Sequence, residues 1–215
     1  MKITRKRALK NLSGLATLSF MGLPTVSSGN NEIEPLSQRI NHSVCEWCFN
    51  QFELEELCEF AKNIGISSID LLTPDQWATA QKYDLTCAMA YGSQMGIVNG
   101  FSDPQNHENL LKEYKASFPK AAGAGLKNVI CFSGNRNGLS DAAGLEVSAK
   151  GLDPVVKLAE KHNIVLTMEL LNSKVDHHDY LCDHTEWGVA LVDKLGSPNF
   201  KLLYDIYHMQ IMEGD

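Results

Sequence analysis

The sequence predicts an α/β fold, a (β/α)8 barrel of which about six βα units are present. Three observations predict it. Short apolar runs alternate with amphipathic stretches over residues 39–215, at the roughly 30 residues per repeat of a barrel that uses eight units in about 250 residues. The runs are unbroken rather than alternating, the mark of strands buried on both faces of a parallel sheet. No G-x-G-x-x-G follows the first run, which removes the main signal of the competing doubly wound dinucleotide fold.

The elements follow in order. Residues 40–48 form the first run, followed by Leu54, Leu57, Cys58, Ala61 and Ile64 at helical spacing, closed by Gly65. The second run, 68–72, leads into Thr73-Pro74, a capping residue with proline at the first helical position. The third is 85–90, after which Asp103-Pro104 opens a helix carrying Leu110, Leu111, Tyr114 and Phe118. The fourth, 128–132, is followed by Gly134-Asn135-Arg136-Asn137-Gly138. This segment is only loosely like a phosphate loop, since it lacks the Lys-Ser/Thr ending. It reads as a flexible loop whose Arg136 reaches a substrate oxyanion. Asp153-Pro154 opens a helix with Val155, Val156 and Ala159, and the fifth run, 164–169, ends on Glu169. Asp183 caps a helix with Trp187, Leu191 and Leu195, closed by Gly196, and the sixth run is 200–207.

Hydrophobic residues at 44% and charged residues at 21% are ordinary for a soluble globular chain. Residues 1–30 hold five basic residues and no acidic one, which leaves 14 basic against 26 acidic in the remainder, a net charge of −12. A body that acidic is a poor candidate for tracking a phosphate backbone, so no nucleic-acid partner is expected. The basic-apolar-small order of residues 1–30 reads as an export signal, and Thr4-Arg5-Lys6-Arg7-Ala8-Leu9-Lys10 is a degenerate twin-arginine pattern. The expected organisation is an export signal over 1–30, a linker over 31–38 and the barrel over 39–215, with the mature protein exported to the periplasm. No segment after the leader is apolar enough to cross a membrane. Cys45-Glu46-Trp47-Cys48 has CxxC spacing, weak evidence without a second pair. Cys87 and Cys131 sit inside apolar runs as small buried hydrophobes.

A carboxylate at the exit of a buried strand is costly unless it is paired, hydrogen-bonded or bound to a metal. Glu169 and Asp205 stand at the ends of consecutive runs, with His208 just beyond and Asn172, His177 and His178 in the loop after Glu169. In a barrel, these positions fall on the face that carries active sites. Such oxygen and imidazole donors suit Mn²⁺, Mg²⁺ or Zn²⁺. On spacing alone, Glu169 and Asp205 serve equally well as helix caps or as partners of basic residues.

Four segments carry a family resemblance: 40–48 (INHSVCEWC), 86–90 (TCAMA), 169–177 (ELLNSKVDH) and 204–210 (YDIYHMQ). Together they resemble the hydroxypyruvate isomerase group of the xylose isomerase-like TIM-barrel superfamily of sugar isomerases and epimerases, with Leu170 where family members usually have proline. The resemblance covers residues 38–215. It implies one divalent metal held by Glu169, Asp205 and ligands from a seventh and eighth strand. It also implies His208 on a substrate oxygen; Asn172 and His177, by their place in the loop after Glu169, and Arg136, by its loop after the fourth run, are read as further substrate contacts. The implied activity is a metal-dependent isomerisation of a hydroxy-carbonyl substrate, hydroxypyruvate/tartronate semialdehyde or a sugar, through an enediolate. Glu169 and a second glutamate would share the proton transfers. The partner implied is therefore a small carbohydrate or hydroxy-keto acid; the oligomeric state is left open. Because the chain ends soon after the sixth run, it is expected to be a fragment lacking strands seven and eight and to be inactive alone. The alternatives are an exported non-catalytic or sugar-binding paralogue, or an epimerase or dehydratase of keto-sugars or cyclitols. Abasic-site endonucleases share the barrel, but the acidic body and the leader argue against them.

Overall fold

The computed structural model describes residues 40–214. The expected leader over 1–30 and linker over 31–38 lie outside the described residues. Six strands alternate with six helices: β1 Ser43–Cys45, α1 Leu54–Asn63, β2 Ser68–Asp70, α2 Trp77–Lys82, β3 Ala90–Tyr91, α3 His107–Gly123, β4 Asn128–Cys131, α4 Asp141–His162, β5 Val165–Glu169, α5 Thr185–Leu195, β6 Phe200–Leu203 and α6 Ile206–Met212. Every strand pairing is parallel, β1 with β2 and then β3-β4-β5-β6 in chain order. The two sheets meet where Ile69 N donates to Thr86 O (2.9 Å) and Leu71 N to Met89 O (2.8 Å). Strand order thus follows chain order, as in a barrel wall, and among the described residues β1 and β6 are not paired with each other. The α/β barrel class holds, as an open arc of six units.

The central strands are apolar on both faces because helices cover one side and the barrel interior the other. Val129, Cys131, Leu166, Met168 and Phe200 are wholly buried, and Phe118, Leu152, Ala159 and Leu191 seal them from the helix layer. Tyr114 joins this core by donating its hydroxyl to Ile130 O (3.1 Å), so its polar tip is satisfied. None of the helices in the described residues is long and apolar enough to cross a membrane.

Several boundaries differ from the sequence-based expectation. The third strand is only Ala90–Tyr91, because the Asp70 carboxylate takes the N–H groups of Ala88 (2.9 Å) and Met89 (3.0 Å), which a longer strand would give to its neighbour. The sixth strand stops at Leu203 rather than 207. Asp205 Oδ1 accepts from Tyr207 N (2.8 Å) and His208 N (3.2 Å), and this cap starts α6. α4 begins at Asp141, capped by Ser140, not at Asp153-Pro154. Pro154 lies on the exposed side of α4, and Lys150, whose carbonyl loses its helical donor to the proline, is also exposed to water. α5 is capped at His184 without a side-chain bond; instead Glu213 receives Thr185 N (2.6 Å) and Thr185 Oγ1 (2.9 Å). Its other end closes as expected at Gly196, whose φ of 61° glycine adopts without penalty.

Candidate active site

The strand ends build one cavity. Glu169 is the last residue of β5 and sits in register with Leu203 of β6, two positions before Asp205. Both carboxylates line a cavity of about 680 Å³ whose wall receives a residue from the C-terminal end of every strand or the loop beyond it. Cys45 and Trp47 come from β1, Leu71 from β2, Tyr91 and Ile97 from β3, and Phe132 from β4. The polar side is formed by Glu169, Asp176, His177, Asp205, Tyr207 and His208. Leu71 reaches it with φ of 61°, a conformation rare for a leucine and found where surrounding contacts hold strain in place.

Burial, then the neighbouring charge of Asp205, pushes the Glu169 carboxyl up to about 7. Asp205 uses Oδ1 as the helix cap, so both of the roles open at the sequence level, cap and site carboxylate, fall to the same residue.

Behind these carboxylates lies a hydrogen-bonded chain. Asn172 is wholly buried and uses its whole amide. Its Oδ1 accepts from Val175 N (3.0 Å) and Asp176 N (2.9 Å). Its Nδ2 donates to Asp176 Oδ2 (2.6 Å) and His208 Nδ1 (2.7 Å). Two backbone donors on Oδ1 fix which way the amide points, so His208 Nδ1 is the acceptor and the ring proton of the neutral imidazole resides on Nε2. Tyr207 donates to Asp176 Oδ2 (2.9 Å), and its ring meets the His208 ring edge-on at 5.0 Å. His177 stands 5.2 Å from His208, ring to ring. Burial and then His208 hold His177 below its ordinary value, against a smaller opposing pull from Asp176. The hydrogen bonds from Asn172 and Tyr207 keep Asp176 below the usual carboxylate range.

Of the residues singled out in the sequence, Glu169, Asp205, His177 and His208 line the cavity, and Asn172 stands directly behind His208. Arg136 does not join them. Its guanidinium pairs with Asp141 and lies 3.8 Å from Asp183, and it is absent from the cavity wall. The loop around it is tied to its neighbours through the backbone N–H groups that a phosphate loop would offer to its ligand. Asn135 N goes to Val98 O (3.1 Å), Arg136 N to Asp179 O (2.6 Å) and Asn137 N to Asp179 Oδ2 (2.8 Å), so these donors are already used. His178 is exposed, with Nδ1 3.2 Å from Ser173 O. Tyr91, Trp47, Asp176 and Tyr207 were not foreseen. Tyr91 is the last residue of β3, and Trp47, Asp176 and Tyr207 lie beyond β1, β5 and β6 within the segments that carry the family resemblance.

The donor chemistry fits a hard divalent cation in part. Two carboxylates offer oxygen ligands of the right type, yet among the described residues no group of three or more His, Cys, Asp or Glu side chains is placed to hold a metal.

The model of one protein family, described as "Xylose isomerase-like TIM barrel", matches residues 58–215. Hydroxypyruvate isomerase from Escherichia coli (strain K12) is 30% identical over 116 residues, 52% of this chain and 43% of the relative. D-psicose 3-epimerase from Enterocloster bolteae is 25% identical over 169 residues, 74% of this chain and 54% of the relative. The chain spans about half the length of these curated relatives. A solved structure of the IolI protein with a binding zinc atom overlays with a TM-score of 0.68 at 14% identity, covering 82% of this chain and 66% of that one. At that identity the overlay speaks for the fold.

Proposed function

Because the chain belongs to the xylose isomerase-like TIM barrel family, we propose that it serves a metal-dependent isomerase or epimerase, acting on a small hydroxy-carbonyl compound of the hydroxypyruvate or keto-sugar type. The observation that carries the reading is the pair Glu169 and Asp205 on one cavity wall, with the Glu169 carboxyl raised to about 7. A general base works best with a proton affinity near the working pH. In the metal-free site Glu169 is then half-ionised at neutrality; a bound cation would lower the carboxyl from there and hold it ionised, able to take a proton from a carbon next to a carbonyl. His208, its ring proton on Nε2, donates to a substrate oxygen, and Asn172 holds the ring in that tautomer. His177, kept neutral by its surroundings, adds a second hydrogen-bonding ring beside it. Trp47, Tyr91, Ile97 and Phe132 add apolar surface to the cavity wall, which displaces water and strengthens polar contacts inside. A divalent cation, Mn²⁺ or Mg²⁺ by the oxygen donors or Zn²⁺ as in the IolI protein, would be held by Glu169 and Asp205 and would supply Lewis acidity.

The names of the relatives, one an isomerase of a hydroxy-keto acid and one an epimerase of a ketohexose, support proton transfer next to a carbonyl as the shared chemistry. The test is solvent-deuterium uptake. The chain, joined to the seventh and eighth βα units that the family resemblance implies and supplied with Mn²⁺ in D₂O, is incubated with hydroxypyruvate and a panel of ketohexoses, and exchange of the carbon-bound proton is followed by NMR. Exchange should occur with one of them, and Glu169→Gln should slow it by about 10²-fold or more, the scale of a lost general base. Undiminished exchange in Glu169→Gln would remove Glu169 from the mechanism. Saturable sugar binding without exchange would identify a carbohydrate-binding barrel instead.

A further inference from the structure

We propose that Cys45 and Cys48 form a redox-active dithiol on the rim of the cavity, closed to a disulfide by a low-molecular-weight disulfide of the glutathione type. All six cysteines of the chain are free thiols in the structure. Cys58, Cys87, Cys131 and Cys182 are sealed in the core, each at most 2% exposed. Cys45 is half-buried and Cys48 exposed, so this pair alone is open to a reagent in solvent.

The backbone brings the two together. Cys45 ends β1 and is the N-cap of a 3-10 turn, Glu46–Phe49. An N-cap residue supplies the carbonyl that closes the first turn. In 3-10 geometry, positions i and i+3 eclipse, and three residues advance about 6 Å along the axis. That separation lies inside the roughly 4.4–6.8 Å between Cα atoms that a disulfide spans. The turn is also part of the cavity, since both Cys45 and Trp47 line it.

The step balances without a further reagent. The exposed Cys48 sulfur, as thiolate, attacks one sulfur of the incoming disulfide and expels the first small thiolate, which takes up a proton. Cys45 then attacks the Cys48 sulfur of the mixed disulfide, loses its proton and releases the second small thiol. Two protein S–H groups are oxidised to one S–S bond, and one small disulfide is reduced to two thiols. The closed ring holds the turn in one conformation and fixes Trp47, 60% exposed in the thiol state, at the cavity rim.

The experiment uses the full chain, equilibrated in graded ratios of reduced and oxidised glutathione, acid-quenched, alkylated and peptide-mapped. The expected product is an intramolecular Cys45–Cys48 bridge, with the other four thiols still reduced. Cys45→Ser should stop at a glutathione adduct on Cys48. Cys48→Ser should react at least about tenfold more slowly, because only the less accessible thiol remains. Oxidation should change the tryptophan emission of the parent protein and leave that of Trp47→Phe unchanged. The proposal is overturned if both thiols stay free at every ratio, if the parent accumulates the Cys48 adduct without closing, or if the bridge forms only between chains. None of these readouts depends on catalysis, so they stand or fall apart from the isomerase reading.

Discussion

Asn172 Nδ2 donates to His208 Nδ1 across 2.7 Å and so joins the loop after β5 to α6, the helix after β6. One buried amide sets the tautomer of a cavity imidazole and, through Asp176 and Tyr207, the conformation of the wall beside it.

Replacing that amide by a carboxylate reverses the pattern. In Asn172→Asp an acceptor faces His208 Nδ1, so Nδ1 must carry a proton, and a second carboxylate is set against Asp176. Stability should fall by about 1–3 kcal/mol, the cost of mispaired buried polar groups, read from urea unfolding. The ¹⁵N shifts of His208 should report protonated Nδ1. A ring that keeps its proton on Nε2 alone would show that Asn172 does not control it.

Glu169 makes metal-free stability depend on pH. The folded carboxyl titrates near 7, against an ordinary 4.5. Between these values the folded chain holds more protons than the unfolded one, so stability falls as pH rises from about 4.5 through about 7. At about 1.4 kcal/mol per unit, the contribution is on the order of 3 kcal/mol. Glu169→Gln should therefore match the parent at low pH and exceed it at pH 8, in unfolding experiments with chelator present. Parallel pH profiles for the two proteins would refute the raised value.

Asp205 allows its two roles to be separated. Asparagine caps a helix as well as aspartate does, so Asp205→Asn should retain α6 and lose no stability. It should weaken Mn²⁺ binding about tenfold or more, because one of two anionic oxygen ligands becomes neutral. Asp205→Ala should lose the metal and, in addition, about 1 kcal/mol of stability. Paramagnetic titration with Mn²⁺ and urea unfolding distinguish the three proteins.

The loops after β3 and β4 touch backbone to backbone at Gly100 and Gly134. A Cβ on Gly100 would lie 2.2 Å from Gly134 N and 2.3 Å from Phe132 O. Gly100→Ala should cost about 1–3 kcal/mol as overpacking that no rotamer relieves. Gly123, the last residue of α3, would meet nothing within 4 Å. Gly123→Ala should gain about 0.5–1 kcal/mol from reduced chain entropy. Urea midpoints moving in opposite directions would confirm the contrast.

The parts legible in the sequence were those written in large apolar side chains. The run through Leu166 and Met168 ends on Glu169, and both strand and carboxylate are where that pattern puts them. The start of α4 was hidden because the buried face of its first half is Gly144, Ser148, Ala149 and Gly151, too small to register as an apolar stripe. Gly144 and Gly151 have no room for a side chain, because Leu181 presses against the first and the His107 ring against the second. Arg136 could not be placed because its partners are an acid five residues away and another 47 away, brought together only by the fold. Tyr91, Trp47 and Phe132 are ordinary core-type residues in sequence; only the convergence of strand ends gives them a cavity to line.

Because Asp205 Oδ1 holds the Tyr207 and His208 amides, the first turn of α6 doubles as a built-in gauge of the cavity. Those two protons exchange with solvent only when the cap opens. A ligand that engages the same carboxylate from the cavity side clamps it in place and slows both exchange rates together, while amides deep in β5 hardly change. Site occupancy can therefore be read by hydrogen exchange at two adjacent backbone positions, with no substrate turnover and no label on the ligand.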